Sequence, residues 1–147
     1  NSNFLSLSKE LSELCADMIL KSLELIEKNS ENFIDQVERE ATYAKKIDKK
    51  ESKIEWNTEA KNIIAKINAL YPNPGSWFQY KGSRLKIIKA VEVEEEGRQG
   101  EIIDKKFTIA CSKNAIQILE LQKEGKKSID VSEFLKGNII ETGFNVS

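Results

Sequence analysis

Short stretches of alternating apolar and polar residues fill the second half of the chain and restrict its fold more than any other feature. They predict β-strands at residues 76–80, 84–94, 100–104, 106–111 and 115–122, separated by turn-forming residues. The alternation loses phase at Ile87-Ile88 and at Ile118-Leu119, which indicates β-bulges that bend a small sheet. Five short, bent strands favour a small, closed or nearly closed β-barrel of the OB type, in a mainly β chain with helices, an α+β class.

An amphipathic helix is predicted before the strands, from about Ser8 to Lys28. A wide apolar stripe on this helix needs a surface to cover it. The stripe consists of Leu11, Leu14, Cys15, Met18, Ile19, Leu23, Leu25 and Ile26. We expect it to pack on a part of a longer protein or on a second copy of itself in a homodimer; packing on the chain's own barrel is the alternative. A strict monomer at high concentration in light scattering, with no exposed apolar patch, would count against the dimer.

Two further helices are predicted on either side of the strands. Asn57 is a good N-cap for the first of them, which Pro72 ends at a rigid Pro-Asn-Pro-Gly turn. For the second, Asp130 is the expected N-cap, Glu133 is placed to complete a capping box, and Gly137 marks the end. The chain therefore reads as helix, linker, helix, barrel and one short C-terminal helix.

The residues that usually carry catalysis and metal binding are scarce. The chain has no histidine, so it lacks the commonest general base and the commonest zinc ligand. Cys15 and Cys111 fall on apolar faces, and we expect both to be buried, reduced thiols rather than a disulfide. The acidic run at residues 92–96 has neither a partner base nor the spacing of a metal loop. The sequence predicts no catalytic residue, metal site or bound cofactor in this chain.

Charge is strongly segregated along the sequence. The net charge is −5 over residues 1–40, +7 over residues 41–91 and −3 over residues 92–147. The middle third is the candidate anion-binding surface, together with a Gly-Lys-Lys turn near the end of the chain. The candidate residues are Lys45, Lys46, Lys49, Lys50, Lys53, Lys81, Arg84, Lys86, Lys89, Lys126 and Lys127. A solvated connector is the alternative for the lysine-rich linker, because most charge runs are simply solvated.

Three aromatic residues of the first predicted strand are candidates for stacking on an unpaired base. These are Trp77, Phe78 and Tyr80. We expect instead that Trp77 belongs to the core and that only Phe78 or Tyr80 is exposed.

Three segments, in order, resemble one known family. The segment LELQKEGKKSIDVSEFLKG (residues 119–137) resembles the closing segment of bacterial-type methionyl-tRNA formyltransferases. ATYAKKIDKKESKIEW (residues 41–56) is similar to the linker of that family, and INALYPNPGSWFQYKGSRLKIIKA (residues 67–90) to its helix exit and hairpin. None of these motifs is specific alone, but together they cover nearly the whole chain.

The resemblance implies a division of labour within a longer enzyme. Residues 1–36 would be the terminal helix of a missing N-terminal catalytic domain, residues 37–56 a basic linker and residues 57–147 the C-terminal OB-like domain. The parent enzyme would transfer a formyl group from 10-formyltetrahydrofolate to the methionyl initiator tRNA in translation initiation. This chain would bind the tRNA through the basic residues named above and would be inactive alone.

Two alternatives to that function remain open. One is the C-terminal domain of another folate-dependent formyltransferase, acting on a sugar or another amine. The other is a free-standing OB-like module for binding or dimerisation.

The sequence also favours a cytoplasmic location. The chain has no secretory signal and no apolar run long enough to cross a bilayer. It also lacks an initiating methionine, and we expect it to be a piece of a longer protein.

Overall fold

The computed structural model describes residues 2–146, which fall into two units. One unit, residues 5–47, is called the helix unit here, and the other, residues 2–4 and 48–146, the sheet unit. The helix unit contains all of α1 (Phe4–Glu27) except its first residue, followed by a segment without regular secondary structure apart from one turn of 3₁₀-helix at Glu38–Glu40.

Helix α1 carries the predicted amphipathic pattern, but none of its residues is buried. Leu14 is 55% exposed to solvent and Met18 is 57% exposed. Cys15 is also exposed, so the expectation that it is a buried thiol was wrong. The reason is that the stripe to which Cys15 belongs has no cover within the described residues.

An open, antiparallel sheet of five strands forms the centre of the sheet unit. The strands are β1 (Ser76–Tyr80), β2 (Ser83–Val93), β3 (Thr108–Ala110), β4 (Ala115–Lys123) and β5 (Ser128–Asp130). Their order is β1-β2-β4-β3, and β5 also pairs with β4, beyond β3 on the same edge. This confirms the α+β class and the OB-like arrangement, although the sheet is not closed into a barrel.

The strand predicted at residues 100–104 is reduced to two isolated bridges. Glu101 pairs with Asn145, and Ile102 pairs with Ile109. A local cause is Asp104, whose carboxylate accepts hydrogen bonds from the backbone of Lys106 and from both the backbone and the hydroxyl of Thr108. These bonds hold a turn where a strand would need extended backbone. Strand β5 was not predicted, because three residues are too few to show a period.

Both predicted bulges are present, and they compensate each other. Between Ile87 and Ala90 the extra residue is Ile88, and the facing strand carries Leu119 as its own extra residue. Residue pairs on either side of the bulges therefore share one register. The bulges bend the sheet without exchanging its two faces.

Helix α2 (Ala60–Leu70) begins three residues later than the predicted N-cap. Glu59, not Asn57, occupies the N-cap position, and its side chain makes no capping bond. The carbonyl of Lys113 instead accepts a hydrogen bond from the amide of Ala60. The loop that contains Lys113 thus accepts a hydrogen bond from a backbone amide of the first turn of α2, where we expected the side chain of Asn57 to act as the cap.

Helix α3 (Val131–Lys136) begins and ends where the sequence predicted. The Asp130 carboxylate accepts from the amide of Ser132, and the helix ends at Gly137. Glu133, however, does not complete a capping box: it accepts a hydrogen bond from Lys136 at 2.5 Å. A complete capping box occurs instead at Asp48 and Glu51, around one turn of 3₁₀-helix at Lys49–Ser52.

The core of the sheet unit is organised around aromatic rings. Phe107 has no exposed surface, and its ring centroid lies 5.4 to 5.9 Å from those of Phe78, Tyr80 and Phe134. Phe78 in turn meets Trp56 edge to face, with 5.5 Å between centroids. Strand β1, the loop before β3 and helix α3 thereby converge on one ring.

None of the helices formed by residues 2–146 is both long enough and apolar enough to cross a bilayer.

The two cysteines should differ sharply in reactivity. Cys111 is buried, and burial raises the pKa of its thiol to about 12, whereas Cys15 is exposed on α1. At pH 8 only about one Cys111 thiol in ten thousand would be ionised, and the thiolate is the reactive form. We expect a thiol reagent such as Ellman's to label one cysteine of the folded chain quickly and the second only after denaturation. Fast labelling of two thiols in the folded chain would contradict this.

Candidate nucleic-acid interface

Four side chains on the face of the sheet away from the core form what we call the Trp77 cluster. Trp77 on β1 pairs directly with Lys86 on β2, and Lys53 lies beside Trp77 in a parallel bridge at the free edge of β1. The Arg84 guanidinium carbon lies 3.8 Å from the centroid of the Trp77 ring, a cation–π contact. No ion pair formed among residues 2–146 involves the three basic members of the cluster.

The Pro-Asn-Pro-Gly turn after α2 fixes the position of Lys86. Gly75 has a φ of +76°, and a Cβ atom there would lie 2.6 Å from Cδ of Lys86. The Lys86 ammonium donates to the carbonyl of Pro72 at 3.4 Å. Glycine at position 75 therefore allows both the turn and the passage of the lysine side chain across it.

The aromatic residues of β1 face the opposite way from our expectation. Phe78 and Tyr80 are buried, while Trp77 is partly exposed. Strand alternation places Trp77 on the same face as Gln79, which is exposed. The polar residue at position 79 was a signal of this orientation in the sequence.

Lys81 and Lys89 lie on the same β-hairpin but face carboxylates. Lys81 forms an ion pair with Glu141 at 2.6 Å, and that hydrogen bond raises the pKa of the Lys81 ammonium. Lys89 is exposed just after the bulge and pairs across the strands with Glu120. The ion pair with Glu141 makes Lys81 less available to an anion than the lysines of the Trp77 cluster.

The linker lysines are divided between the two units. Lys45 and Lys46 are exposed in the helix unit. Lys49 and Lys50 are exposed in the 3₁₀ turn that leads into Lys53, so they approach the free edge of β1 within the sheet unit.

The turn between β4 and β5 carries the other predicted lysines. Lys126 and Lys127 are both exposed. Gln122, which pairs with Lys86 across the sheet, donates from its amide to the carbonyl of Lys126 at 2.6 Å. This hydrogen bond holds one end of the turn beside the face that carries the Trp77 cluster.

A cleft of about 300 Å³ opens on the other side of the same turn, next to α3. Its lining is formed by Lys123, Lys126, Lys127, Ile129, Glu133, Phe134 and Asn138. Lys123 and Asn138 were not predicted as site residues. Lys123 sits at the end of a strand, where only its pairing with the core-facing Leu85 reveals which side of the sheet it occupies.

Within residues 2–146, no group of three carboxylate, thiol or imidazole side chains could hold a metal ion. The acidic residue Glu92 accepts a hydrogen bond from the Asn114 side chain at 2.7 Å.

Comparison with known proteins assigns the chain to a family. The sequence profile of the formyl transferase C-terminal domain matches residues 46–138. Methionyl-tRNA formyltransferase of Pelagibacter ubique is 38% identical over 143 residues, covering 97% of this chain and 46% of the relative. The Bradyrhizobium diazoefficiens enzyme of the same name is 36% identical over 141 residues, covering 93% and 45%.

The chain thus spans about half the length of the curated relatives it matches. Among solved structures, a variant of HypX from Aquifex aeolicus superposes with a TM-score of 0.69 at 20% identity, over 91% of this chain and 26% of that protein. At this identity the likeness concerns the fold alone. Through the profile match, which spans most of its length, this chain belongs to the formyl transferase C-terminal domain family.

Proposed function

We propose that this chain is the C-terminal part of a methionyl-tRNA formyltransferase and that its sheet unit binds the initiator tRNA. The parent enzyme would transfer a formyl group from 10-formyltetrahydrofolate to the amino group of the methionyl residue. The names of the two relatives support the choice of enzyme. Because this chain has no histidine and no catalytic cluster, we expect it to show no formyl transfer by itself.

The observation that carries the tRNA proposal is the Trp77 cluster. Lys53 from the linker and Lys86 from β2 both pair with Trp77 along the backbone, and Arg84 of β2 contacts its indole ring. None of the three is neutralised by an ion pair within residues 2–146. A folded RNA is bound mostly through its phosphates and its shape, which is the kind of contact such a surface offers.

The rest of the basic surface would extend this contact. Lys49 and Lys50 precede the cluster on one side, and Lys126 and Lys127 lie in the turn that Gln122 joins to it. Lys81 and Lys89 of the hairpin complete the proposed set within the sheet unit, and Lys45 and Lys46 of the helix unit are proposed as separate contacts to the same RNA. The surrounding acidic segments would favour one orientation of the RNA, since like charges repel phosphate.

For α1 we propose a partner outside the described residues. The exposed apolar stripe supports packing against the N-terminal catalytic part of the parent enzyme, residues 1–36 then belonging to that part. A homodimer through α1 is the alternative, which light scattering distinguishes. We place the parent enzyme in the cytoplasm, where initiator tRNA is used.

Titration with initiator tRNA tests the proposal. We expect the double variant Arg84→Gln/Lys86→Gln to bind about tenfold more weakly than the unmodified chain. The slope of the logarithm of the binding constant against the logarithm of the salt concentration should become shallower by about 2, one unit for each lost phosphate contact. The matched control is Lys105→Gln/Lys106→Gln, which removes the same charge from an exposed turn outside the proposed surface. We expect less than about a twofold loss there.

Equal losses in the two double variants would show that only net charge matters, and would overturn the assignment of the surface. If the unmodified chain binds tRNA no better than it binds a neutral polymer at low salt, the substrate is another amine or the chain is a binding module of a different kind.

A further inference from the structure

The cleft beside α3 lies on the opposite side of the sheet from the Trp77 cluster. Lys123 pairs with Leu85 and Ile129 pairs with Leu121, and both of these leucines are buried in the core. Directly paired residues point to the same face of a sheet. The cleft therefore opens on the core-facing side at the end of β4, and it shares with the proposed tRNA surface the turn lysines Lys126 and Lys127.

The lining of the cleft combines an apolar floor with a cationic rim. Ile129, which is 38% exposed, is the apolar side chain open to solvent there, while Phe134 lies buried behind it. Lys123, Lys126 and Lys127 line it, and none of them forms an ion pair within residues 2–146. The one carboxylate in the lining, Glu133, is already hydrogen-bonded to Lys136.

Two polar groups in the cleft are held in fixed positions. The Asn138 side chain donates to the carbonyl of Phe134 at 2.7 Å and accepts from the Lys123 ammonium at 3.2 Å. That ammonium also lies 4.9 Å from the centroid of the Phe134 ring. Lys123 is therefore oriented before any ligand arrives, which lowers the entropic cost of using it.

We propose that this cleft binds one nucleotide unit, with the base against the exposed side chain of Ile129 and the phosphate against the lysine ammonium groups. A volume of about 300 Å³ is at the small end of ligand sites, and a flat ring beside an anion matches an apolar floor beside three cations. The proposal rests on the proposed function and deepens it, because the nucleotide would be an unpaired one of the bound RNA. A free nucleotide has the same chemistry, and the experiment separates the two sources.

The main measurement compares two RNAs by fluorescence anisotropy, using the full chain. One is a short single-stranded oligoadenylate, and the other is a blunt duplex with the same number of phosphates. We expect Ile129→Glu and Lys123→Gln each to weaken binding of the single strand about tenfold and to leave duplex binding within about twofold. Lys105→Gln is the control, since it removes the same charge as Lys123→Gln from an exposed turn that does not line the cleft.

Circular dichroism checks that both variants fold. Lys123→Gln changes a partly exposed side chain, so it remains informative if Ile129→Glu disturbs the short strand β5.

The proposal is overturned if neither cleft variant discriminates between the RNAs, or if the affinities for both RNAs fall by the same factor. If the cleft variants weaken binding of the single strand selectively but Arg84→Gln/Lys86→Gln does not weaken binding of tRNA, only the assignment of the Trp77 surface is refuted. If Arg84→Gln/Lys86→Gln weakens tRNA binding but the cleft variants do not distinguish the two RNAs, only the assignment of the cleft is refuted.

Nuclear magnetic resonance titrations separate the sources. Saturable shifts at Ile129 and Asn138 with adenosine monophosphate, at concentrations where the oligoadenylate gives none, would identify a free nucleotide as the ligand. Stronger binding of the oligoadenylate would identify RNA. Equal shifts with inorganic phosphate alone would overturn the role assigned to the base.

Discussion

Replacing Phe107 with alanine is expected to lower the free energy of unfolding of the sheet unit by about 3 to 5 kcal/mol, the range for a buried phenylalanine. Its ring has no exposed surface and contacts three other rings, from β1 and α3. Its backbone has a φ of +67°, and alanine keeps the cost of that conformation while losing the ring contacts. Denaturant unfolding should show a lower midpoint with an unchanged slope.

Phe33→Ala is the matched control for this prediction. It removes the same atoms from a side chain that is 79% exposed, so the free energy of unfolding should change by less than about 0.5 kcal/mol. If the two variants proved equally stable, Phe107 could not be the centre of the core.

Gly100→Ala should also be strongly destabilising, with a loss of roughly 2 to 3 kcal/mol in the free energy of unfolding. The φ of Gly100 is +79°, and an added Cβ would lie 3.0 Å from the carbonyl oxygen of Val146. The carbonyl of Gly100 also accepts from the amide of Val146 at 2.8 Å, so a shift of this backbone would disturb a bond that holds residues near the end of the chain. Thermal or denaturant unfolding measures the loss.

Gly125→Ala separates the two causes of that loss. Gly125 also has a positive φ, +69°, but no atom lies within 4 Å of the position that an added Cβ would take. Its substitution should therefore cost only the conformational term, about 1 kcal/mol. A loss at position 100 no larger than the loss at position 125 would show that the contact with Val146 is unimportant.

The sequence predicted the sheet well where apolar and polar residues alternate over five or more consecutive positions. Strands β1, β2 and β4 lie where alternation placed them, and both bulges were visible as a loss of phase. Features that depend on contacts distant in the chain were missed. The start of α2 depends on the carbonyl of Lys113, and the strand around Ile102 gave way to a turn held by Asp104.

The candidate site was predictable in composition but not in geometry. The charge pattern identified Arg84 and Lys86, yet nothing in it showed that Lys53 would lie beside Trp77 or that Lys81 would pair with Glu141. The faces of β1 were assigned wrongly because three of its five residues are aromatic, which obscured the alternation. Lys123 was missed because its role depends on α3, which follows it in the chain and packs against the end of β4.

The paired bulges at Ile88 and Leu119 have a consequence for how this sheet can change length in evolution. Because Ile88 is an extra residue, its loss would remove the bulge from β2 and leave the side chains on both sides of it on their present faces, and the same holds for Leu119 in β4. Loss of one residue from a regularly paired stretch such as β1 has no bulge to absorb it and would exchange core positions for solvent positions. One-residue deletions should therefore be tolerated at the two bulges, singly or together, and not in β1.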